Sequence, residues 1–276
     1  MRSPNEPFDF THVVMTRFNL ATPGRELAIR NQPGWLEGRF RLFEDYCLPS
    51  MAAQTSAEFH WVIYFDENTP AEFRDRIAKL QKIAPFEAHF TGLFPAEGWR
   101  RSIREVIDPQ TPLLLTTRLD NDDALSRDFV ARLHTAVRNH GLANGSYNFR
   151  NGLIRRGGAL YALSHPRNAF FSWLEPISDE MRTAPSIQHM TLPEIGPVHQ
   201  IGGSPGWLQV VHETNVSNKV RGRRVDRDVA SGLFPDAVLD GIEPISPLAR
   251  HMENLGPGLL RRTRDALGLL RRHRRY

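Results

Sequence analysis

Three carboxylates fall within four residues in the segment Thr116-Thr117-Arg118-Leu119-Asp120-Asn121-Asp122-Asp123. Charges this close repel one another unless a cation or a proton neutralises them. Alternate side chains of an extended chain point the same way, so Asp120 and Asp122 share a side. Oxygen ligands of this kind suit Mg²⁺ or Mn²⁺, with a diphosphate supplying further oxygens. The plain alternative is a solvated acidic turn that caps the following helix. An EF-hand is excluded, because Leu125 stands where that loop needs Gly and Ala131 where it needs Glu. His212 ends the alternating run WLQVVH and is a candidate third ligand, since a neutral imidazole ligates divalent cations. Ten other histidines compete with it for that role.

Other residue types point to substrate contacts. Arg17, Arg101 and Arg118 could each pair with a phosphate through two hydrogen bonds, although a surface ion pair is the ordinary use of such residues. For a base, Glu175 in SWLEPISDE stands out over Asp179, Glu180 and Glu194. The neighbouring Phe170, Phe171 and Trp173 could desolvate its carboxyl and raise its pKa. The alternative there is an ordinary loop acid. Trp173, Trp207 and Tyr161 could stack on a sugar, but their type favours core packing.

The elements that must position these groups alternate through the first half. Strand-like runs occupy 12–20, 60–67, 86–94 and 111–120, the last near-continuously apolar, as a central parallel strand would be. Helix patterns occupy 34–54, 68–84, 98–108 and 126–141. The first places Leu36, Phe40, Phe43 and Cys47 on one face. The last has Ser126 as a candidate cap, Phe129, Val130, Leu133 and Val137 as its buried stripe, and Gly141 as its stop. This order predicts an α/β fold with a mostly parallel sheet flanked by helices. The acidic segment then lies at the C-terminal end of a strand, where open α/β sheets bind ligands. After Gly141 the rhythm changes. Residues 147–164 read as two or three short strands with Asn-Gly and Gly-Gly turns, 165–206 as loop-rich, 206–218 as containing one more strand, and 219–258 as loop-like.

Composition sets the outer bounds. The 276 residues are 40% hydrophobic and 24% charged, as in an ordinary globular protein. The single cysteine, Cys47, permits no internal disulfide and fits a reducing compartment. No signal-peptide pattern or transmembrane run is present. Residues 257–276 hold seven Arg and one Asp, a net of +6, so the rest of the chain carries −2 of the total +4. A near-neutral body argues against nucleic-acid binding. The tail reads either as a basic amphipathic helix able to lie on an anionic membrane or as a disordered cationic segment.

The ordered set of motifs is more specific than any one of them. THVVMTRFNL, then R-x-L-F-E-x-Y-C-L-P-S, then Q-x-x-x-x-F-H-W-V-I-Y-F-D-E-x-T-P, then L-L-T-T-R-L-D-N-D-D, then W-L-Q-V-V-H-x-x-N-V-S-N together resemble the bacterial rhamnosyltransferase family, over about residues 10–222. LDNDDA resembles the DXD element of GT-A glycosyltransferases. The resemblance implies a GT-A-like, nucleotide-diphospho-sugar transferase fold with one catalytic domain over 1–222. Its donor half would be 10–141 and its acceptor half 142–222, followed by a loop-rich extension over 223–256 and the basic tail. It implies Asp120, Asp122 and His212 around the metal, with Asp122 the more direct ligand and Asp120 turned to the ribose or the metal. Asp123 would stand behind them. Thr16, Arg17 and Asn19 would face the nucleotide, Asp66 the base, and Arg101 the donor. Asn215 and Asn218 would hold the loop after His212.

The expected activity is transfer of a sugar from a nucleotide-sugar donor to a glycan or lipid-linked acceptor, with inversion, in the cytoplasm or at the inner face of the membrane. Rhamnose as the sugar comes wholly from the resemblance. Competing readings are nucleotidyl transfer to a sugar phosphate, and a non-catalytic glycan-binding or membrane or nucleic-acid adaptor on a degenerate transferase fold. The Gly-rich basic loop of nucleotidyl transferases has only a faint counterpart in ATPGRE at 21–26.

Overall fold

Strand β1, Thr11–Arg17, is buried on both faces, and its β-branched, apolar sequence suits that position. In the computed structural model, which describes residues 9–20, 29–92, 96–212 and 220–255, β1 lies between two parallel neighbours. These are β2 (His60–Asp66) and β4 (Leu113–Arg118), with β3 (Glu87–Thr91) beyond β2. Beyond β4 stand β9 (Ser172–Pro176), β6 (Gly145–Phe149) and β10 (Val198–Ile201), completing a seven-stranded sheet in the order β10-β6-β9-β4-β1-β2-β3. Only β9 runs against the rest.

Alternation along the strands feeds two cores. Val14, Ile63, Phe65 and Leu115 face one side with Phe40, Phe43 and Trp61. Val13, Met15, Val62, Tyr64 and Leu114 face the other with Trp99 and Ile103. Helices cover both faces. The first cover is α1 (Trp35–Leu42), a π-helical stretch Phe43–Cys47, and α2 (Leu48–Ala52). Phe40, Phe43 and Cys47 are fully buried on it, as the spacing predicts, while Leu36 is only partly so. The others are α3 (Ala71–Leu80), α4 (Ala96–Val106) and α5 (Phe129–Asn139).

A second sheet of five strands has the order β12-β8-β7-β11-β5. Its members are β5 (Ala124–Leu125), β7 (Asn151–Arg156), β8 (Ala159–Ser164), β11 (Trp207–Val210) and β12 (Arg223–Val225). The Gly-Gly turn joins β7 to β8, with Gly157 at φ 55°. Asn151-Gly152 is not a turn. It lies inside β7, where a Cβ on Gly152 would stand 2.1 Å from the Trp207 ring.

One further expectation is corrected. Asp128, not Ser126, stands at the N-cap position of α5, without a side-chain cap hydrogen bond, and Ser126 is a buried residue whose hydroxyl donates to Asp128 Oδ1 at 2.7 Å. Gly141 does stop α5: it has φ 63°, its N–H binds Arg138 O, and Leu142 N–H binds Val137 O, the Schellman arrangement. Within 165–206, β9 is the link between β4 and β6. Residues 223–255 pack onto the second sheet. Phe234, Val238, Leu239 and Ile242 pack against Leu153, Leu160 and Leu208. Arg155, itself buried, binds Val238 O at 2.7 Å and also Asp240 O, while Arg224 binds Leu160 O at 3.1 Å. A short α6 (Leu192–Ile195) and α7 (Pro247–Leu255) complete the described elements. The tail at 257–276 lies outside the described residues, as do Asn215 and Asn218. Among the described residues no helix is long and apolar enough to cross a membrane.

A buried polar chain runs under β1 and β4. His12 Nδ1 and His134 Nε2 are 2.9 Å apart, His12 Nε2 and Thr117 Oγ1 2.9 Å, and Thr117 Oγ1 and Ser172 Oγ 2.6 Å. Burial, then the neighbouring His134 and His60, hold His12 well below the usual histidine value. Burial, then Arg138, lowers His134 to about 4. Both rings are neutral in the fold, so between the ordinary 6.5 and about 4 the unfolded chain binds more protons. Their contribution to stability is complete above pH 6.5 and is lost as pH falls toward 4. Thermal unfolding of the wild type and His134→Gln across that range should show a steeper acid loss in the wild type; parallel curves would refute it.

Candidate active site at the end of the fourth strand

The acidic segment is the crossing between the two sheets. β4 ends at Arg118, Leu119 N–H still binds Met15 O at 3.1 Å, and Asp123 N–H closes a turn on Asp120 O at 3.2 Å. The chain then enters β5, which pairs antiparallel with β11. Three successive polar residues face three tasks. Asn121 donates to Arg17 O at 3.2 Å and Phe18 O at 2.8 Å, clamping the loop after β1. Asp122 Oδ2 accepts from Arg39 Nη1 at 3.0 Å and from His212 Nε2 at 2.8 Å. Asp123 Oδ1 accepts Val210 N–H at 2.8 Å. The run out of β11 therefore reaches both carboxylates, through residues two apart.

The two neighbouring acids are driven in opposite directions. Burial, then the charges of Asp122 and Asp120, push Asp123 well above the usual carboxylate value. Burial also acts to raise Asp122, but the His212 hydrogen bond and the Arg39 guanidinium hold it below that value. Asp122 is thus the ionised member and Asp123 favours the neutral acid. Cys47 lies close enough to feel all three acids, and burial followed by their charges raises its thiol well above the ordinary value. It is an inert core thiol.

Asp120 is turned another way. Arg118 grips both of its oxygens, at 3.0 and 3.1 Å. Among the described residues no three His, Cys, Asp or Glu are gathered into a metal cluster. Asp122 and His212 are nevertheless ligand types suited to a divalent ion, and they meet through a hydrogen bond of 2.8 Å.

The residues expected at the donor divide. Asp66, at the end of β2, pairs with Arg30, and its backbone N–H binds Asn19 Oδ1 at 3.0 Å. Asn19 also donates to Thr69 Oγ1 at 3.1 Å, so it ties the ends of β1 and β2 together rather than presenting a free amide. Thr16 is not in a loop. It is a fully buried residue of β1 that accepts the Trp61 Nε1–H at 3.1 Å, because the strand runs on to Arg17. Arg17 is exposed at the end of β1. Arg101 is exposed on α4, in an open cleft with Arg100, Arg104, Glu105 and Asp179.

Glu175 is not brought to the acidic segment. It pairs with Leu114 at the start of β4, the opposite end of the strand from Asp120. Its carboxylate accepts the N–H groups of Arg182 at 3.0 Å and Thr183 at 2.9 Å. Thr183 has φ 64°, so Glu175 secures a strained turn. Trp207 is core: it is buried, donates to Phe149 O at 2.8 Å and stacks on Phe170. Trp173 and Tyr161 are buried as well. Arg30 and Arg39 were missed in the sequence. Nothing but helix position distinguishes Arg39 from Arg41 next to it.

With this geometry in view, the comparisons with known proteins bear on one point. The family model described as "Putative rhamnosyl transferase" matches residues 11–224. The chain belongs to this family. The match begins with β1, takes in the acidic segment and His212, and ends within β12. The observed class is that of an α/β protein with a mixed, mostly parallel sheet flanked by helices. No curated protein matches the chain. Among solved structures, S. aureus TarS is similar at 9% identity and a TM-score of 0.45, covering 74% of this chain and 37% of TarS. TarS 1-349 in complex with UDP gives 9% identity and a TM-score of 0.44, covering 73% of this chain and 60% of that one. The chain therefore spans less than two thirds of the length of these TarS chains.

Proposed function

We propose that this member of the rhamnosyl transferase family moves a sugar, rhamnose in the first instance, from a nucleoside-diphosphate donor to a hydroxyl of a glycan or lipid-linked acceptor, with inversion. The observation that supports it most directly is the meeting of His212 and Arg39 on the ionised Asp122 at the C-terminal end of β4. That edge of an α/β sheet is where nucleotides bind. Asp122 and His212 would hold Mg²⁺ or Mn²⁺, and Asp120 would join them on release from Arg118. A bound divalent ion stabilises the negative charge that develops on the diphosphate as the glycosidic bond breaks. The chain's own part is to place cations there as well. Arg39, held in one orientation by Asp122, presents further N–H groups suited to phosphate oxygens, and Arg118 adds a second positive charge beside Asp120. Asp66 lies at the end of β2, where a base or ribose would reach it, and Arg17 stands exposed beside it at the end of β1. A cytoplasmic setting fits the single buried cysteine, and residues 257–276 would bring the enzyme to an anionic membrane surface.

The test is hydrolysis and binding of UDP-, GDP- and dTDP-sugars by the full chain with Mg²⁺ or Mn²⁺, read by released diphosphate and by calorimetry. One donor should bind and turn over only with metal. If none binds and none turns over, the reading fails.

A further inference from the structure

His165, Arg167, His189 and Arg221 come from the β8–β9 connection, the turn His189–Thr191 and the lead into β12, and all are half-buried. They lie within reach of one another's charges: His189 feels those of Arg118, Asp120, Arg167 and Arg221, and His165 those of His189, Arg221 and Arg167, while the antiparallel pairing of Arg223 with Ala162 leads the chain from Arg221 alongside the end of β8. The backbone explains the convergence. His165 N–H binds Arg150 O at 2.7 Å and Asn168 Nδ2 binds Phe149 O at 2.8 Å, fixing the 165–168 loop at the C-terminal end of β6. β6 points the same way as β4 with β9 between them, two strand spacings or about 10 Å away. Ala184 N–H binds Thr116 Oγ1 at 2.8 Å, drawing the segment that leads to His189 toward the same end of β4.

The group is rich in donors and poor in acceptors. Among the described residues neither Arg167 nor Arg221 has a carboxylate on its guanidinium, and the acid facing the group, Asp120, is already gripped by Arg118. His165 Nδ1 accepts the Arg167 N–H at 3.1 Å, so in the neutral ring Nε2 carries the proton and is a donor. Cations held half out of water without a counter-charge are costly, and an oxyanion relieves that cost. Burial, then the mutual repulsion within the group, holds His165 at about 4, so the rings act as neutral donors beside two permanent charges.

We propose that His165, Arg167, His189 and Arg221 form a subsite for an oxyanion of the acceptor, a phosphate or a carboxylate, beside Asp120. The assignment to the acceptor rests on the glycosyl-transfer reading. Asn19, Arg30, Arg39 and Asp66 gather about β1 and β2, on one side of β4, whereas this group gathers about β6 and β9, on the other.

The experiment is calorimetry on the full chain without metal or nucleotide, titrated with inorganic phosphate and, separately, with acetate. One of them should bind, more weakly at high salt, and about tenfold more weakly in Arg167→Gln/Arg221→Gln. Tighter phosphate assigns a phosphorylated acceptor, and tighter acetate an acidic sugar. Circular dichroism checks that the variant folds, and the single Arg167→Gln and Arg221→Gln variants replace the pair if it does not. Binding of neither anion overturns the proposal. So does phosphate binding that survives the double change and disappears in Arg39→Gln, which would put the anion at the diphosphate. No donor is present, so failure here leaves the donor reading standing, and failure of the donor screen leaves this result intact.

Discussion

Replacing Asp122 with Ala should abolish metal-dependent nucleoside-diphosphate binding and lower sugar transfer about 10³-fold, as removal of a main electrostatic stabiliser does. The reason is the position of one oxygen. Asp122 Oδ2 is where the guanidinium of Arg39 and the imidazole of His212 meet, and it is the acid kept ionised while Asp123 beside it is pushed toward the neutral form. Asp122→Asn keeps the shape and some hydrogen bonding but removes the charge, so it should fold like the wild type and still lose metal binding. Asp123→Asn should be milder toward metal, since that side chain is buried against Val210 N–H. Calorimetry with Mn²⁺ and the diphosphate of the active donor reads all three. Full metal-dependent binding in Asp122→Asn would remove the charge argument altogether.

The second large effect is on stability. Gly152→Ala should destabilise the fold by about 3 kcal/mol, at the upper end of overpacking costs. An added Cβ would stand 2.1 Å from Trp207 Cδ2 and Cε2. The ring cannot retreat easily, because Nε1 is bound to Phe149 O and Phe170 stacks on it with centroids 4.8 Å apart. Gly157→Ala, five residues on, meets nothing within 4 Å and bears only the strain of φ 55°, about 1 kcal/mol. Urea unfolding of the two variants should separate them at unchanged slope. Equal midpoints would show that β7 and β11 shift apart freely. Because β11 carries Val210 and His212 to the two acids, Gly152→Ala should also weaken metal binding.

Much of this was legible in the residues. The apolar runs around Val13, Ile63 and Leu115 marked the central strands, because a strand covered on both faces has no polar side to hide it. Phe40, Phe43 and Cys47 marked the helix face, and the LDNDD segment marked the end of a strand. What escaped was set by contacts between distant residues. β9, SWLEP, carries a charge and a terminal proline and has no strand pattern of its own; it is a strand because β4 and β6 pair with it on either side. Glu175 had the right neighbours in sequence and the wrong end of the sheet in space.

The sequence by itself determined the α/β class, the family and the acidic turn, since periodicity and local residue types carry those. The tertiary structure decided which acid is charged, which cation faces it and which carboxylates stay apart. Those depend on burial and on partners tens of residues away: Arg39 and His212 lie 83 and 90 positions from Asp122, and no local pattern records such a meeting.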